Sequence, residues 1–381
     1  MHQDDQMHNF QLKDFAALII ITAYNREKVM NSDSPKLMIY GASGYSAQLI
    51  IEELILRNVK PILAGRNELT VKRISEKFGC KFRIFELSND KQVDEALGDI
   101  HTLLNCAGPF RLTAKELIES CLRTKTNYLD ITGEIPVMHL AFSMNQKAKV
   151  SGIVILPSVG FDIIPTDCIA KHLSEKMPNA VNLKLALINK RGKISRGTWL
   201  TTLEFLKGTG RVLRDGKLIE SPIGEFSVNI RLKNFSFSGL SIPWGDVYSS
   251  YHSTGIPNAE VYLAVPKRLV QLRNLLSMLL KIFRIEMVKN FAAWYIQKNL
   301  TGPSKEERNT ARSFIWGRVE NSKGETVEEV YQVMEGYNLT AKGAAESAIR
   351  ILNNPLKPGY YTPSLAFGSD FMNLFVIKKI Y

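Results

Sequence analysis

The chain has 381 residues, 45% of them hydrophobic and 23% charged, an ordinary globular composition with room for two domains. Its net charge of +12 admits nucleic acid, an anionic membrane or anionic small ligands as partners. No nucleic-acid-binding motif accompanies that charge, which is spread along the chain, so nucleic acid is excluded and a basic surface facing a phosphate-rich ligand is expected.

Phe15 to Tyr24 is apolar but too short to span a bilayer, and Asp4, Asp5 and Asp14 precede it, unlike a secretion signal. Residues 1–34 are expected to be a flexible extension, with Met30 a plausible alternative start. The next stretch, KLMIYGASGYSAQLIIEELILRNVKPILAGR (36–66), reads as strand, glycine turn, helix and strand. Ala47, Ile50, Ile51, Leu54 and Ile55 form one apolar helical stripe, and Asn58 can end the helix. The turn has the pattern G-x-x-G-x-x-A rather than G-x-G-x-x-G, but the strand before it and the helix after it are the context a dinucleotide site requires. Gly41, Ala42, Ser43, Gly44, Tyr45 and Ser46 are the expected pyrophosphate cradle. Arg66, 22 residues past Gly44, stands where an NAD site carries a carboxylate. A guanidinium there pairs with a 2′-phosphate, so NADPH/NADP is the expected cofactor.

Strands alternate with helices as far as Ile153–Leu156, which implies a doubly wound parallel sheet with its ligand beyond the carboxyl ends of the strands. Those ends are Gly41–Ser46, Arg66, Ala107–Phe110, Thr132–Glu134 and Gly160–Asp162. Thr113 and Glu116 form a capping-box pattern at the start of a helix. From Leu183 the rhythm changes to strands at Leu183–Ile188, Ser227–Leu232 and Glu260–Val265, an antiparallel α+β region. Pro266 to Lys289 reads as one amphipathic helix, its apolar face expected to pack on the domain or on a partner subunit; a basic helix of this kind also suits a membrane surface. The fold class is therefore α/β, a Rossmann-type doubly wound parallel sheet with an inserted α+β second domain. The expected division is 1–34 extension, 35–165 nucleotide-binding domain, 166–335 inserted substrate and dimerisation domain, and 336–381 return to the first domain.

YGASGYSA, AGR, NCAGPF, YLDITGE, PSVGFDIIPTD and YTPSLAFG together resemble the saccharopine dehydrogenase-like oxidoreductases, most closely the trans-acting enoyl reductase branch. The resemblance runs from about Pro35 to Phe371. It implies a Rossmann domain with an inserted domain, use of NADPH, and a loop beside the nicotinamide formed by Asn105 to Phe110, so Ala107, Gly108 and Pro109 join the expected cofactor contacts. The activity it implies is reduction of an activated C=C bond in a lipid or polyketide-like acyl substrate. Asp130, Glu134 and Asp162 are the catalytic candidates because they lie at strand ends, where capping a loop is the rival role. An imine or amino-acid conjugate is the alternative substrate, for which Arg191, Arg196, Arg211 and Arg214 could supply a cationic cluster; a non-catalytic NADP-binding, membrane-associated module is a third reading.

No metal is expected, because the four cysteines (Cys80, Cys106, Cys121 and Cys168) include no C-x-x-C pair and no histidine stands at ligand spacing. Cys106, Cys121 and Cys168 read as buried thiols of a reducing compartment. The expected location is cytoplasmic, with peripheral contact to the inner face of a membrane through 266–289, and a homodimer is the expected assembly.

Overall fold

The computed structural model describes residues 36–190, 192–207, 210–232 and 235–381; the expectations for residues 1–34 and for Arg191 lie outside them. Six short strands, β1 (Leu37–Tyr40), β2 (Ile62–Gly65), β3 (Phe82–Ile84), β4 (Thr102–Asn105), β5 (Asn127–Asp130) and β6 (Val154–Leu156), lie in the order β6-β5-β4-β1-β2-β3, every pair parallel. This is the doubly wound arrangement, and its order reverses between β1 and β4. Alternate residues of β1 serve opposite faces, as the pleat requires. Leu37 and Ile39 pack with Ile50, Leu54 and Ala345, whereas Met38 and Tyr40 pack with Val93, Leu117 and Ile118. Asn58 takes the left-handed conformation (φ 60°) just past helix Tyr45–Leu56.

The second sheet is built from β7 (Ala180–Lys190), β8 (Gly210–Arg214), β9 (Lys217–Ser221), β10 (Ser227–Leu232), β11 (Phe235–Ser241), β12 (Asn258–Val265), β13 (Arg312–Asn321) and β14 (Thr326–Val333). It is mixed rather than antiparallel, because β12 runs parallel to β7. That pairing is reached by a long crossover from β11 through helix Asp246–Thr254, which no short-range sequence pattern announces. Helix Ile164–Lys176 packs on β13 and β7, so the boundary expected at 165 falls inside a helix that lies on the second sheet. The last segment divides. Helix Gly336–Asn353 lies on helix Tyr45–Leu56 and buries Ala341, Ala344, Ala345 and Ala348, and β15 (Gly359–Tyr360) extends the first sheet beside β6. β16 (Val376–Lys379) joins β14 in the second sheet instead of returning to the first.

The segment 266–289 is not one helix. It forms Lys267–Gln271, Arg273–Leu280 and the 3₁₀ turn Lys281–Arg284, and a further helix, Glu286–Asn299, follows. No glycine or proline in 267–299 marks these breaks. Its apolar face is not packed away in the chain: Leu272, Leu275 and Leu279 are exposed. Among the described residues no helix is long and apolar enough to cross a membrane. All four cysteines are free; Cys121 and Cys168 are buried, while Cys106 is only half-buried, since it stands just past the end of β4.

Candidate active site

The glycine turn at the end of β1 is held from two sides. The N–H groups of Gly41 and Ala42 both donate to the carbonyl of Ala64 at the end of β2 (2.9 and 3.1 Å). Gly41 has φ +81°, and a methyl group on it would stand 2.7 Å from the backbone nitrogen of Ala107. Only glycine permits this contact between the turn and the loop after β4. Gly44 precedes helix Tyr45–Leu56, and no side chain caps that helix. Its leading N–H groups and the positive end of its dipole are thus left for an anionic ligand. Arg66 follows β2 directly, is exposed, and makes no hydrogen bond or ion pair with another described residue, whereas its neighbour Asn67 caps the next helix by accepting from the Thr70 N–H (2.9 Å). These residues fit the phosphates of NADPH, with the pyrophosphate at Gly41–Ser46 and the 2′-phosphate at Arg66. Tyr45 contributes its backbone only: its hydroxyl donates to the Pro303 carbonyl and accepts from Arg308 (both 2.6 Å), so its ring belongs to the second domain.

The loops after β4, β5 and β6 are locked by one buried network. Asn105 accepts from the Ala107 N–H (2.9 Å) and donates to Thr113 (3.0 Å) and Tyr128 (3.2 Å). Tyr128 donates to Asp130 (2.9 Å), and Asp130 also accepts from the N–H groups of Thr132 (3.0 Å) and Ser158 (2.8 Å). Glu134 accepts from the N–H groups of Phe110 (2.8 Å) and Arg111 (3.1 Å). Thr113 makes no side-chain cap, because its hydroxyl donates to the Ala107 carbonyl (2.9 Å); the expected capping box is replaced by a loop brace.

This network separates the three candidate acids. Asp130 is pushed up to about 6 by burial, which the N–H groups of Ser158 and Thr132 oppose, and both its oxygens are engaged. Glu134 holds the turn after Pro109 through both of its oxygens. Both are structural. Asp162 is different. Its carboxyl makes no hydrogen bond among the described residues, its oxygens are not sealed from solvent, and burial pushes it up to about 7. An acid enclosed by protein but reachable by solvent is what a cleft lining looks like. A methyl group on Gly133 would lie 3.0 Å from Asp162 Oδ2, so the loops after β5 and β6 meet at this carboxyl.

The second domain covers this point. The Trp244 indole donates to the Asp162 carbonyl (3.2 Å), and the Gly245 N–H donates to the Gly133 carbonyl (3.1 Å). Tyr337 opens helix Gly336–Asn353; its hydroxyl accepts from the Ser195 N–H (2.5 Å) and shares a hydrogen bond with Thr198 (2.9 Å). Asn105 and Tyr128 fall within the NCAGPF and YLDITGE stretches but were not singled out as site residues, and no local motif marks Trp244 or Tyr337. From Arg66 at β2 to Asp162 at β6 the sheet crosses four strand spacings, roughly 19 Å, with the turn after β1 and the loop after β4 between them. Arg66 and Asp162 therefore lie on opposite sides of the switch point between β1 and β4.

Arg66→Ala is expected to weaken NADPH binding by roughly 30-fold, the loss of about 2 kcal/mol of charge-assisted bonding. NADH has no 2′-phosphate, so its affinity should change little. Dissociation constants of both cofactors for both proteins check this, and equal weakening would mean that Arg66 stacks on adenine instead.

Comparison with known proteins agrees with this geometry. Residues 37–156 match the saccharopine dehydrogenase NADP binding domain. The bovine saccharopine dehydrogenase-like oxidoreductase is 29% identical over 161 residues, which are 37% of this chain and 38% of that protein. A trans-acting enoyl reductase from Mycobacterium leprae is 27% identical over 139 residues, 34% of this chain and 33% of the relative. These matches span well under half the length of either relative. The fold extends further: the apo structure of saccharopine dehydrogenase (L-Glu forming) from Saccharomyces cerevisiae superposes with a TM-score of 0.62 at 13% identity, covering 91% of this chain and 100% of that one. Residues 37–156 are thus a saccharopine dehydrogenase NADP binding domain, and over that part the chain is similar to the saccharopine dehydrogenase-like oxidoreductases.

Proposed function

We propose that the protein is an NADPH-dependent reductase of an activated C=C bond in a lipid or polyketide-like acyl substrate. The observation that carries this reading is Asp162, an acid near its midpoint at neutral pH, unpaired among the described residues and across the switch point from Arg66, where the nicotinamide would lie. When bound, NADPH supplies the hydride. The Gly41–Ser46 turn and Arg66 bind phosphates, and the Ala107–Pro109 loop, braced by Asn105 and Glu134, borders the reacting end. Asp162 gives its proton to the α-carbon as the β-carbon is reduced, and the carboxylate regains a proton from solvent. The Trp244 indole, bonded to the Asp162 carbonyl (3.2 Å), brings an aromatic surface beside the acid, which suits an acyl chain. The name of the mycobacterial relative supports the same substrate class.

An imine or amino-acid conjugate would need cations for its carboxylates. Arg211 is paired with Glu220 (3.0 Å) and Arg214 with Glu260, and Arg196 is exposed, which weighs against that substrate. The test is NADPH oxidation with an α,β-unsaturated acyl thioester, compared with an oxo acid plus an amino acid. Turnover with the thioester alone is expected. Turnover with the second pair alone would replace this reading, and tight binding without turnover on either would make the chain a non-catalytic NADP-binding module.

A further inference from the structure

Ten of the 23 exposed large apolar side chains among the described residues fall between 269 and 295. So dense a patch on one segment marks an interaction surface. Leu272, Leu275, Leu279 and Ile282 follow one another at helical spacing, and their exposures run from 47% to 57%. Helix Glu286–Asn299 adds Phe291 (66%) and Trp294 (53%), whose rings stack at 5.8 Å. This helix packs against the 281–284 turn, so the two rows adjoin. It is seated on helix Arg196–Lys207, and the patch is carried by elements of the second domain.

The charge around the patch identifies what covers it. Residues 266–299 hold seven Lys or Arg (Lys267, Arg268, Arg273, Lys281, Arg284, Lys289, Lys298) and one acid, Glu286. Lys267 and Arg268 are exposed at one end, and at the other the Lys298 ammonium lies 5.2 Å from the Trp294 ring centre. A second copy of the chain is a poor occupant. A two-fold interface would set this cationic face against itself. An anionic bilayer surface satisfies both features: the apolar row enters the headgroup–acyl boundary, Trp294 sits at headgroup level, and Lys267, Arg268 and Lys298 meet lipid phosphate and carboxylate.

We infer that residues 267–299 form a docking surface for an anionic lipid membrane, on which the protein lies without crossing it. The test uses the full chain and vesicles of phosphatidylcholine, either pure or with about one third phosphatidylserine. Flotation with the serine-lipid vesicles is expected, and binding to the pure vesicles about ten-fold weaker or less. Combined Phe291→Ser and Trp294→Ser should weaken binding by about ten-fold or more, with melting temperature and NADPH affinity unchanged, since both side chains face solvent. Lys267→Glu with Arg268→Glu should do the same by reversing charge alone. Failure to float with serine-lipid vesicles, or binding that neither double variant weakens, overturns the inference. So does a concentration-dependent dimer that the Phe291/Trp294 variant dissociates while vesicle binding is absent, which would give the surface to a second copy.

Discussion

Asp162→Asn is expected to lower kcat for reduction by about 100- to 1,000-fold, the usual worth of a positioned general acid, while NADPH affinity stays within about two-fold. Asparagine has nearly the same shape but no proton to give. The pH behaviour distinguishes this from a structural loss. Burial holds the carboxyl at about 7 in the folded chain, against about 3.9 for an unfolded aspartate. Between those values the folded protein keeps a proton that the unfolded chain has released. The stability contributed by the neutral acid is therefore fully present below about pH 4 and is lost as pH rises through about 7. Asparagine is neutral throughout, so the variant should melt above the wild type at alkaline pH, with the gap widening between about 4 and 7. Burial alone shifts this carboxyl; Asp246, from helix Asp246–Thr254, and Tyr337 are its electrostatic neighbours, and its charge raises both of them. Wild-type kcat should fall as pH rises through about 7, and the variant should lose that inflection. A variant that is both inactive and less stable would make Asp162 a structural residue.

Gly41→Ala is the second large effect. The new methyl would meet the nitrogen, Cα and Cβ of Ala107 at 2.7–2.8 Å, and the backbone would be held at φ +81°. Left-handed strain of about 1–2 kcal/mol and overpacking of about 1–3 kcal/mol act together. The turn must move off Ala107, so a fall in stability of about 2–5 kcal/mol and a loss of NADPH affinity of at least about ten-fold are expected. Gly79→Ala is the control. Gly79 also has positive φ (60°) but has nothing within 4 Å of an added methyl. It should show only the conformational strain, about 1 kcal/mol, with cofactor affinity unchanged. Denaturant unfolding and cofactor titration of the two variants separate close approach from backbone strain.

The nucleotide half was legible in the sequence because its information is local. Leu37–Tyr40, the glycine turn and the apolar stripe of helix Tyr45–Leu56 are contiguous, and each βα unit repeats the same pattern. The second domain was not, because its pairings are distant: β12 finds β7 across four intervening strands and two helices. The site divides along the same line. Arg66 and Gly41–Ser46 could be placed from spacing. Asp130, Glu134 and Asp162 look alike in sequence, each a carboxyl at or just beyond a strand end. Only the backbone N–H groups aimed at the first two, and at neither oxygen of the third, tell them apart. The groups that cover Asp162 are further away still: Trp244 is 82 positions from it, and Tyr337 is 142 from its partner Ser195. The apolar stripe after Pro266 was visible as a pattern, but whether it packs inward or faces solvent depends on the neighbouring helices.

The central claim is that the carboxyl edge between Arg66 and Asp162 is a reductase site for an enoyl substrate. It is tested most directly by following a deuterium label on the transferable position of NADPH through turnover with an α,β-unsaturated acyl thioester. The account predicts one deuterium at the product's β-carbon and a solvent-derived hydrogen at its α-carbon. It also predicts that Asp162→Asn slows formation of that product without moving the label. NADPH bound but not consumed, or a product with no deuterium at the β-carbon, would contradict it.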